Sequence, residues 1–247
     1  MSSSLVRHDP ALPKGRAALR EALEGGSAAV VATETVPGLA VLAGNPKGLA
    51  LLRALKQAPA DKPFSLHPRD ARELRRLLPA LPPGLPGWLS QRLPGPWTVV
   101  LPRDWVALPR TWEWPWPGVG LRLSGHPALQ TLAAGLPAPL LLTSVNPHGA
   151  PPLHGAALKA WLEAHPKVVV GLDPSRVKAA APSTVVAFEP LPRLIRGSAP
   201  PGKLRPGLRV LVVCSGNICR SPLAAALLRS ELAACWGLAP EQLPALG

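Results

Sequence analysis

The sequence has no tyrosine, two phenylalanines, one methionine and three cysteines in 247 residues. Acidic residues are scarce too, with 14 Asp+Glu against 27 Lys+Arg. No apolar run reaches the roughly 18 residues that a membrane-spanning helix needs, which excludes a helical membrane span. Met1 to Pro13 carries no apolar signal core, so secretion is not expected. Cys214, Cys219 and Cys235 all lie in the last 34 residues. A disulfide scaffold would spread its cysteines along the chain. A reducing, cytoplasmic setting is therefore expected. The lack of tyrosine, with arginine well ahead of lysine, reflects coding-base composition more than function.

What the sequence does contain is enough to build a core. Hydrophobic residues make up 47% and charged residues 17%. The 34 prolines and 22 glycines are spread among apolar runs, the pattern of a loop-rich globular protein. Residues 1–206 hold 24 Lys+Arg against 12 Asp+Glu, a net +12, whereas residues 207–247 hold three against two. A basic body implies an anionic partner such as a nucleotide, pyrophosphate or nucleic acid.

Helix and strand signals alternate. Residues 28–32 read as a strand. Asn45 is an N-cap with Pro46 at the first helical position, and Leu49, Leu52 and Leu55 give a helix over 46–57. A basic helix is expected over 69–78, with Arg69, Arg72, Arg75 and Arg76, and prolines break the pattern over 79–86. Strands follow at 97–101 and 119–123, separated by a Trp-rich loop at 109–117. Next come a helix at 126–134, a buried strand at 139–143, a helix at 156–164 and a strand at 168–170. Strands at 184–188 and 193–195 precede a linker at 198–206. The tail reads as a strand at 208–214, a tight loop at 215–220 and a helix at 221–234. The alternation implies an α/β architecture.

Short polar motifs punctuate these elements. Thr33-Glu34-Thr35-Val36-Pro37-Gly38-Leu39 follows the first strand, and Lys56 ends a helix, with Lys62, Pro63 and His67 beyond it. Pro94-Gly95-Pro96-Trp97-Thr98 turns into a strand, and Arg122 sits among apolar residues, where an unpaired arginine is costly. Thr143-Ser144-Val145-Asn146 lies at the C-terminal end of a buried strand, where α/β folds place ligands. Ser183 to Val186 and Arg196-Gly197 complete the set.

Taken in order, ATETVPGL, KQAP, PGPWT, GLRLS, TSVNPHG, STVV and IRGS resemble the signatures of the YrdC-like threonylcarbamoyl-AMP synthases: PTDTVYGL, K-x-R-P, PGPxT, GVRxP, TSAN-x-SG, STVV and LRxG. The resemblance covers roughly residues 15–200. It implies an open, twisted, mixed sheet with a basic cavity over 1–197. It also implies a nucleotidyltransferase that joins threonine, bicarbonate and ATP into threonylcarbamoyl-AMP and releases pyrophosphate. Other proteins would then pass the threonylcarbamoyl group to tRNA. By the same resemblance, Thr33, Thr35, His67 and Ser183 lie on the threonine side. Lys56, Arg122, Ser144, Asn146 and Arg196 hold bicarbonate, triphosphate and adenylate, with Mg²⁺ on the leaving pyrophosphate and no protein metal ligands. Such a reaction gathers anions and needs little acid–base chemistry, so Lys, Arg, Ser, Thr and Asn with few carboxylates suit it. The chain departs from the pattern at Pro37 (tyrosine), Ala58 (arginine), Ser124 (proline) and His148 (serine). Lys cannot replace the bidentate clamp lost at Ala58 in kind, although Arg53 or Lys62 stands nearby in sequence. The alternative is a weakened module that binds nucleotide or double-stranded RNA.

Val213-Cys214-Ser215-Gly216-Asn217-Ile218-Cys219-Arg220-Ser221 follows a strand and opens a helix. Five residues between Cys214 and Arg220 curl the loop so that backbone N–H groups face one centre. Cys214 would be a nucleophile of lowered pKa and Arg220 a phosphate clamp, with Asn217 and Ser221 supporting. The segment resembles the start of the low-molecular-weight protein tyrosine phosphatases. That family carries its acidic proton donor in a later loop, and no Asp follows Asp173. Residues 207–247 are therefore expected to be a partial, β-loop-α phosphatase domain with little turnover.

Overall fold

Apolar runs become strands, buried on both faces at Ala29–Val31 and Gly38–Leu42 and on one face toward the far edge of the sheet. The computed structural model describes residues 6–189, 192–197 and 220–243. In chain order these form α1 (Pro13–Glu24), β1 (Ala29–Val31), β2 (Gly38–Leu42), α2 (Pro46–Lys56), β3 (Ser65–His67), α3 (Ala71–Leu77), α4 (Leu85–Ser90), β4 (Trp97–Pro102), β5 (Gly118–Leu121) and α5 (Pro127–Ala134). They continue with β6 (Leu140–Ser144), α6 (Gly155–Ala164), β7 (Val169–Gly171), β8 (Thr184–Phe188), β9 (Pro192–Arg196) and α7 (Arg220–Cys235). The strands make one open, mixed sheet in the order β7-β1-β2-β6-β3-β5-β4-β8-β9. The pairs β1–β7, β3–β5 and β4–β8 are parallel, and the rest are antiparallel.

Strand side chains alternate between the two faces. Val30, Leu39, Val41, Leu66, Val99, Leu121, Leu141 and Val186 enter the main hydrophobic cluster with Leu52 of α2, Trp88 of α4 and Leu158 of α6. Ala29, Val31, Ala40, Leu42, Leu140 and Leu142 point the other way, to Leu19 and Leu23 of α1 and Leu129 and Leu132 of α5. This second cluster stops at β6. Beyond it, the same face carries polar residues. One residue past Leu121, the strand register aligns His67, Arg122, Thr98, Val185 and Arg196 in one row across β3, β5, β4, β8 and β9. The hydrophobic pattern therefore reserves half of one sheet face for chemistry.

Local signals explain several boundaries. The Asn45 side chain accepts from the Gly48 N–H, and Pro46 opens α2 as expected. Asp70 caps α3 at Glu73, so that helix starts later than the sequence implied. Arg69 lies outside it, bonding both Glu73 and the Leu136 carbonyl. Its charge is thus engaged within the fold, while Arg72, Arg75 and Arg76 are exposed. Helix α4 begins inside the proline-rich stretch that reads as a break, because Gly84 supplies a left-handed turn and Pro86 is tolerated in a first turn. Helix α1 and strands β2 and β3 are additions to the sequence reading. Strands this short give too few alternations to stand out. Gly38 opens β2 where a Cβ would sit 2.6 Å from Leu142 Cδ2, so a side chain there would push the leucine methyl aside.

The linker at 198–206, the strand at 208–214, and Cys214, Asn217 and Cys219 lie outside the described residues, as does the side chain of Arg220. Helix α7 agrees with the reading at 221–234. Its end joins the body. Ala233 and Trp236 are buried, and Trp236 packs edge-on against Trp105 and tilted against Phe188 of β8. Among the described residues no helix is long and apolar enough to cross a membrane.

A buried tryptophan truncated to alanine typically costs about 3 kcal/mol or more. Trp236→Ala should therefore lower the stability of the body by about that much in urea unfolding. An unchanged midpoint would mean that the tail contributes nothing to the main core.

Candidate functional site

Three cations converge on the polar half of the sheet. Lys56 ends α2, and its Nζ donates to the Ser144 carbonyl at 2.8 Å, to Ser144 Oγ at 3.2 Å and to Asn146 Oδ1 at 2.7 Å. Asn146 is oriented in turn, its amide donating to the Pro147 and Ala150 carbonyls. All of Lys56's partners are neutral, and it is only 4% exposed. Burial, with the nearby charges of Lys62 and Arg196, pulls its pKa down to about 8. Arg196, an exposed residue on β9, is held below its ordinary value by partial desolvation of its guanidinium and then by Arg122. Arg196 Nη2 donates to Ser183 Oγ and Nε to the Ser183 carbonyl, both at 3.2 Å, while Ser183 Oγ lies 2.9 Å from Thr98 Oγ1.

Arg122 is the most enclosed cation that has a carboxylate partner at the site. Its backbone N–H continues the ladder to the Leu66 carbonyl. Nη2 donates to Thr35 Oγ1 at 2.8 Å and lies 3.0 Å from Glu34 Oε1, an ion pair without the alignment of a hydrogen bond. The other Glu34 oxygen accepts from Ser124 Oγ. Burial raises the Glu34 pKa, but the Ser124 hydroxyl and the Arg122 charge outweigh it, and the carboxyl sits below its ordinary value.

Counting protons assigns roles to the threonines. Thr33 gives its hydroxyl proton to the Val36 carbonyl and accepts the Thr35 N–H, so Thr35 must donate to Thr33 across their 3.1 Å contact. Thr33 is thus spent shaping the turn, as Ser/Thr side chains commonly are. Thr35 is left as an acceptor. The same count fixes His67. Ser65 gives its proton to the Leu142 carbonyl, so His67 Nε2–H donates to Ser65 Oγ and Nδ1 is an acceptor without a partner. Burial, then Arg122, offset in part by Glu34, drops the His67 pKa to about 3, so the ring stays neutral.

The site residues therefore form three clusters: Lys56–Ser144–Asn146, Arg196–Ser183–Thr98, and Arg122–Glu34–Thr35–Ser124 with Thr33, next to His67. Ser183 pairs with Arg196 and not with the threonines, while Arg122 pairs with Thr35. Glu34 and Thr98 are site residues that the motifs contain without marking. The buried polar position in the apolar strand WTVVL was the signal for Thr98. A cleft of about 510 Å³ opens beside Thr33, Thr35 and Pro37. Asp9 and Asp173 line it along with Arg7, Arg176 and Lys178, so it is of mixed charge. Ala58 is partly buried against the main cluster. Arg53 does not replace the missing arginine: it donates to the Ala60 carbonyl and lies over the Trp116 ring. Lys62 is exposed, and close enough for its charge to act on Lys56.

A family model, Sua5/YciO/YrdC, described as "Telomere recombination", matches residues 21–198. The threonylcarbamoyl-AMP synthase of Laribacter hongkongensis (strain HLHK9) is 33% identical over 185 residues, which is 72% of this chain and 95% of that protein. Among solved structures, P. abyssi Sua5 complexed with L-threonine matches with a TM-score of 0.62 at 24% identity, over 77% of this chain. This chain spans 56% of that one, little more than half its length. E. coli YciO matches with a TM-score of 0.62 at 20% identity, over 79% of this chain and 95% of that one. At these identities the two structures speak for the fold.

Lys56 carries its charge below pH about 8 and loses it above. Affinity for inorganic pyrophosphate should therefore fall as pH rises through about 8, read by calorimetric titration. Lys56→Met should bind more weakly below pH about 8, lose that inflection, and match the unsubstituted chain above it.

Proposed function

The chain belongs to the Sua5/YciO/YrdC family, and from that premise we propose that it is a nucleotidyltransferase making threonylcarbamoyl-AMP from threonine, bicarbonate and ATP. The observation that carries this reading is the convergence of Lys56, Arg122 and Arg196 on one polar sheet face. Threonine and bicarbonate condense to a carbamate with loss of water. A carbamate oxygen then attacks the α-phosphorus, and the bond to the leaving pyrophosphate breaks. Every participant after the first condensation is anionic, so the barrier is lowered chiefly by positioned positive charge. Lys56 and Arg196 take triphosphate and adenylate oxygens, with Ser144 and Asn146 fixing the direction of the ammonium. Arg122 takes the α-phosphate of the triphosphate, beside the bicarbonate-derived carboxylate. Thr35 and neutral His67 accept from the amino-acid substrate, and Ser183 supports Arg196.

Among the described residues, no group of three His, Cys, Asp or Glu could hold a metal ion. Mg²⁺ would enter with the ATP phosphates, whose oxygens supply part of its shell. The product serves tRNA threonylcarbamoyladenosine synthesis through other proteins, which sets the chain in the cytoplasm.

Ala58 favours a second reading. With no guanidinium there, the site would bind nucleotide or RNA and turn over slowly. The Cys214–Arg220 loop is a further, separate proposal. If it binds phosphate and reacts as its motif implies, the chain hydrolyses an aryl phosphate and Cys214→Ser abolishes this.

Pyrophosphate release from ATP should require both threonine and bicarbonate. Lys56→Ala should lower kcat/KM by about a hundredfold, the usual cost of losing one preorganised charge-stabilising group. Ala58→Arg should raise it. Release that ignores threonine would overturn the synthase reading.

A further inference from the structure

Arg122 offers different chemistry from its three nitrogens. Nη2 is occupied by Thr35 and Glu34. Nε is buried. Nη1 donates to none of the described residues and is the nitrogen left for a ligand. Where it points depends on what grips Nη2. Thr35 Oγ1 is itself fixed, because its proton goes to Thr33. Glu34 is a longer and softer support, with only the Ser124 hydroxyl holding its far oxygen. Ser124 is buried and also stationary. Its Oγ accepts the His126 N–H at 3.2 Å at the head of α5, and its carbonyl accepts from Gln130 at 2.9 Å. A proline at this position, as in the signature that the chain otherwise resembles, would have no hydroxyl to offer.

We propose that Ser124 and Glu34 act together as positioning residues: α5 anchors Ser124, Ser124 anchors the Glu34 carboxylate, and the carboxylate aims Arg122 at the triphosphate. The Ser124 hydroxyl makes a charge-assisted hydrogen bond that fixes the carboxylate, and the ion pair then holds the guanidinium to one side of the site. Glu34 also prevents the Arg122 charge from being left unpaired in a buried place before substrate arrives. This inference rests on the synthase reading for the identity of the anion, but not for its test.

The test is ATP affinity of the full chain by calorimetric titration, with pyrophosphate release measured alongside. Ser124→Ala and Glu34→Gln should each weaken ATP binding by on the order of tenfold, with threonine KM unchanged. The double variant should be no worse than the poorer single one, since both remove the same link. Ser124→Thr, which keeps the hydroxyl, should restore binding to within about twofold. ATP affinity unmoved by Ser124→Ala, additive losses, or failure of Ser124→Thr to rescue would overturn the proposal. So would a fall in thermal midpoint that moves ATP and threonine parameters together. An unsubstituted chain that binds no ATP would also overturn it. If ATP binds but release ignores threonine, the synthase reading fails, and the clamp is judged on the affinities alone.

Discussion

A buried guanidinium must be paired, and Arg122 meets that requirement in a way that organises its surroundings. Desolvating a cation costs several kcal/mol unless hydrogen bonds and an opposite charge offset it. Glu34 supplies the charge and Thr35 the acceptor, and both come from the turn between β1 and β2. The pairing thus fastens that turn to the end of β5. The remaining cations are treated differently. Among the described residues Lys56 and Arg196 bond only neutral oxygens, so they keep a demand for negative charge that a ligand can meet. Their lowered pKa values have the same origin: desolvation first, then like charge nearby.

The sheet makes this arrangement possible. Alternation sends Leu66, Val99, Leu121 and Val186 into the main cluster, and the same alternation forces His67, Thr98, Arg122 and Val185 onto the opposite face. Helices α1 and α5 cover that face only as far as β6. The covered half supports stability and the other half carries polar groups. On the opposite side of the molecule, the end of α7 closes over Phe188 and Trp105 through Trp236.

Much of this was legible in the sequence. The Asn45-Pro46 cap, the buried strand ending at Ser144 and the Lys56 terminus are local signals with local causes, and the structure agrees with them. The ordered motifs identified the residues that the fold gathers, from Thr35 to Arg196. What the sequence did not reveal was partnership. That Ser183 belongs with Thr98, or Arg122 with Glu34, depends on strand order, which pairs β4 with β8 and sets β5 beyond β6 and β3 from β2, whereas Ser183 meets Arg196 across the β8–β9 hairpin. Short strands such as Ser65–His67 escaped because three residues cannot establish a period. The mixed charge of the cleft beside Thr33 was equally hidden, since Asp9 and Asp173 reach it from distant segments.

The central claim is that the converging cations serve formation of a carbamoyl adenylate. The most direct measurement supplies ¹³C-bicarbonate, threonine and ATP to the full chain and follows the adenylate product by mass spectrometry. The account predicts threonylcarbamoyl-AMP carrying the label, formed in step with pyrophosphate. Consumption of ATP with no label in any adenylate would contradict it.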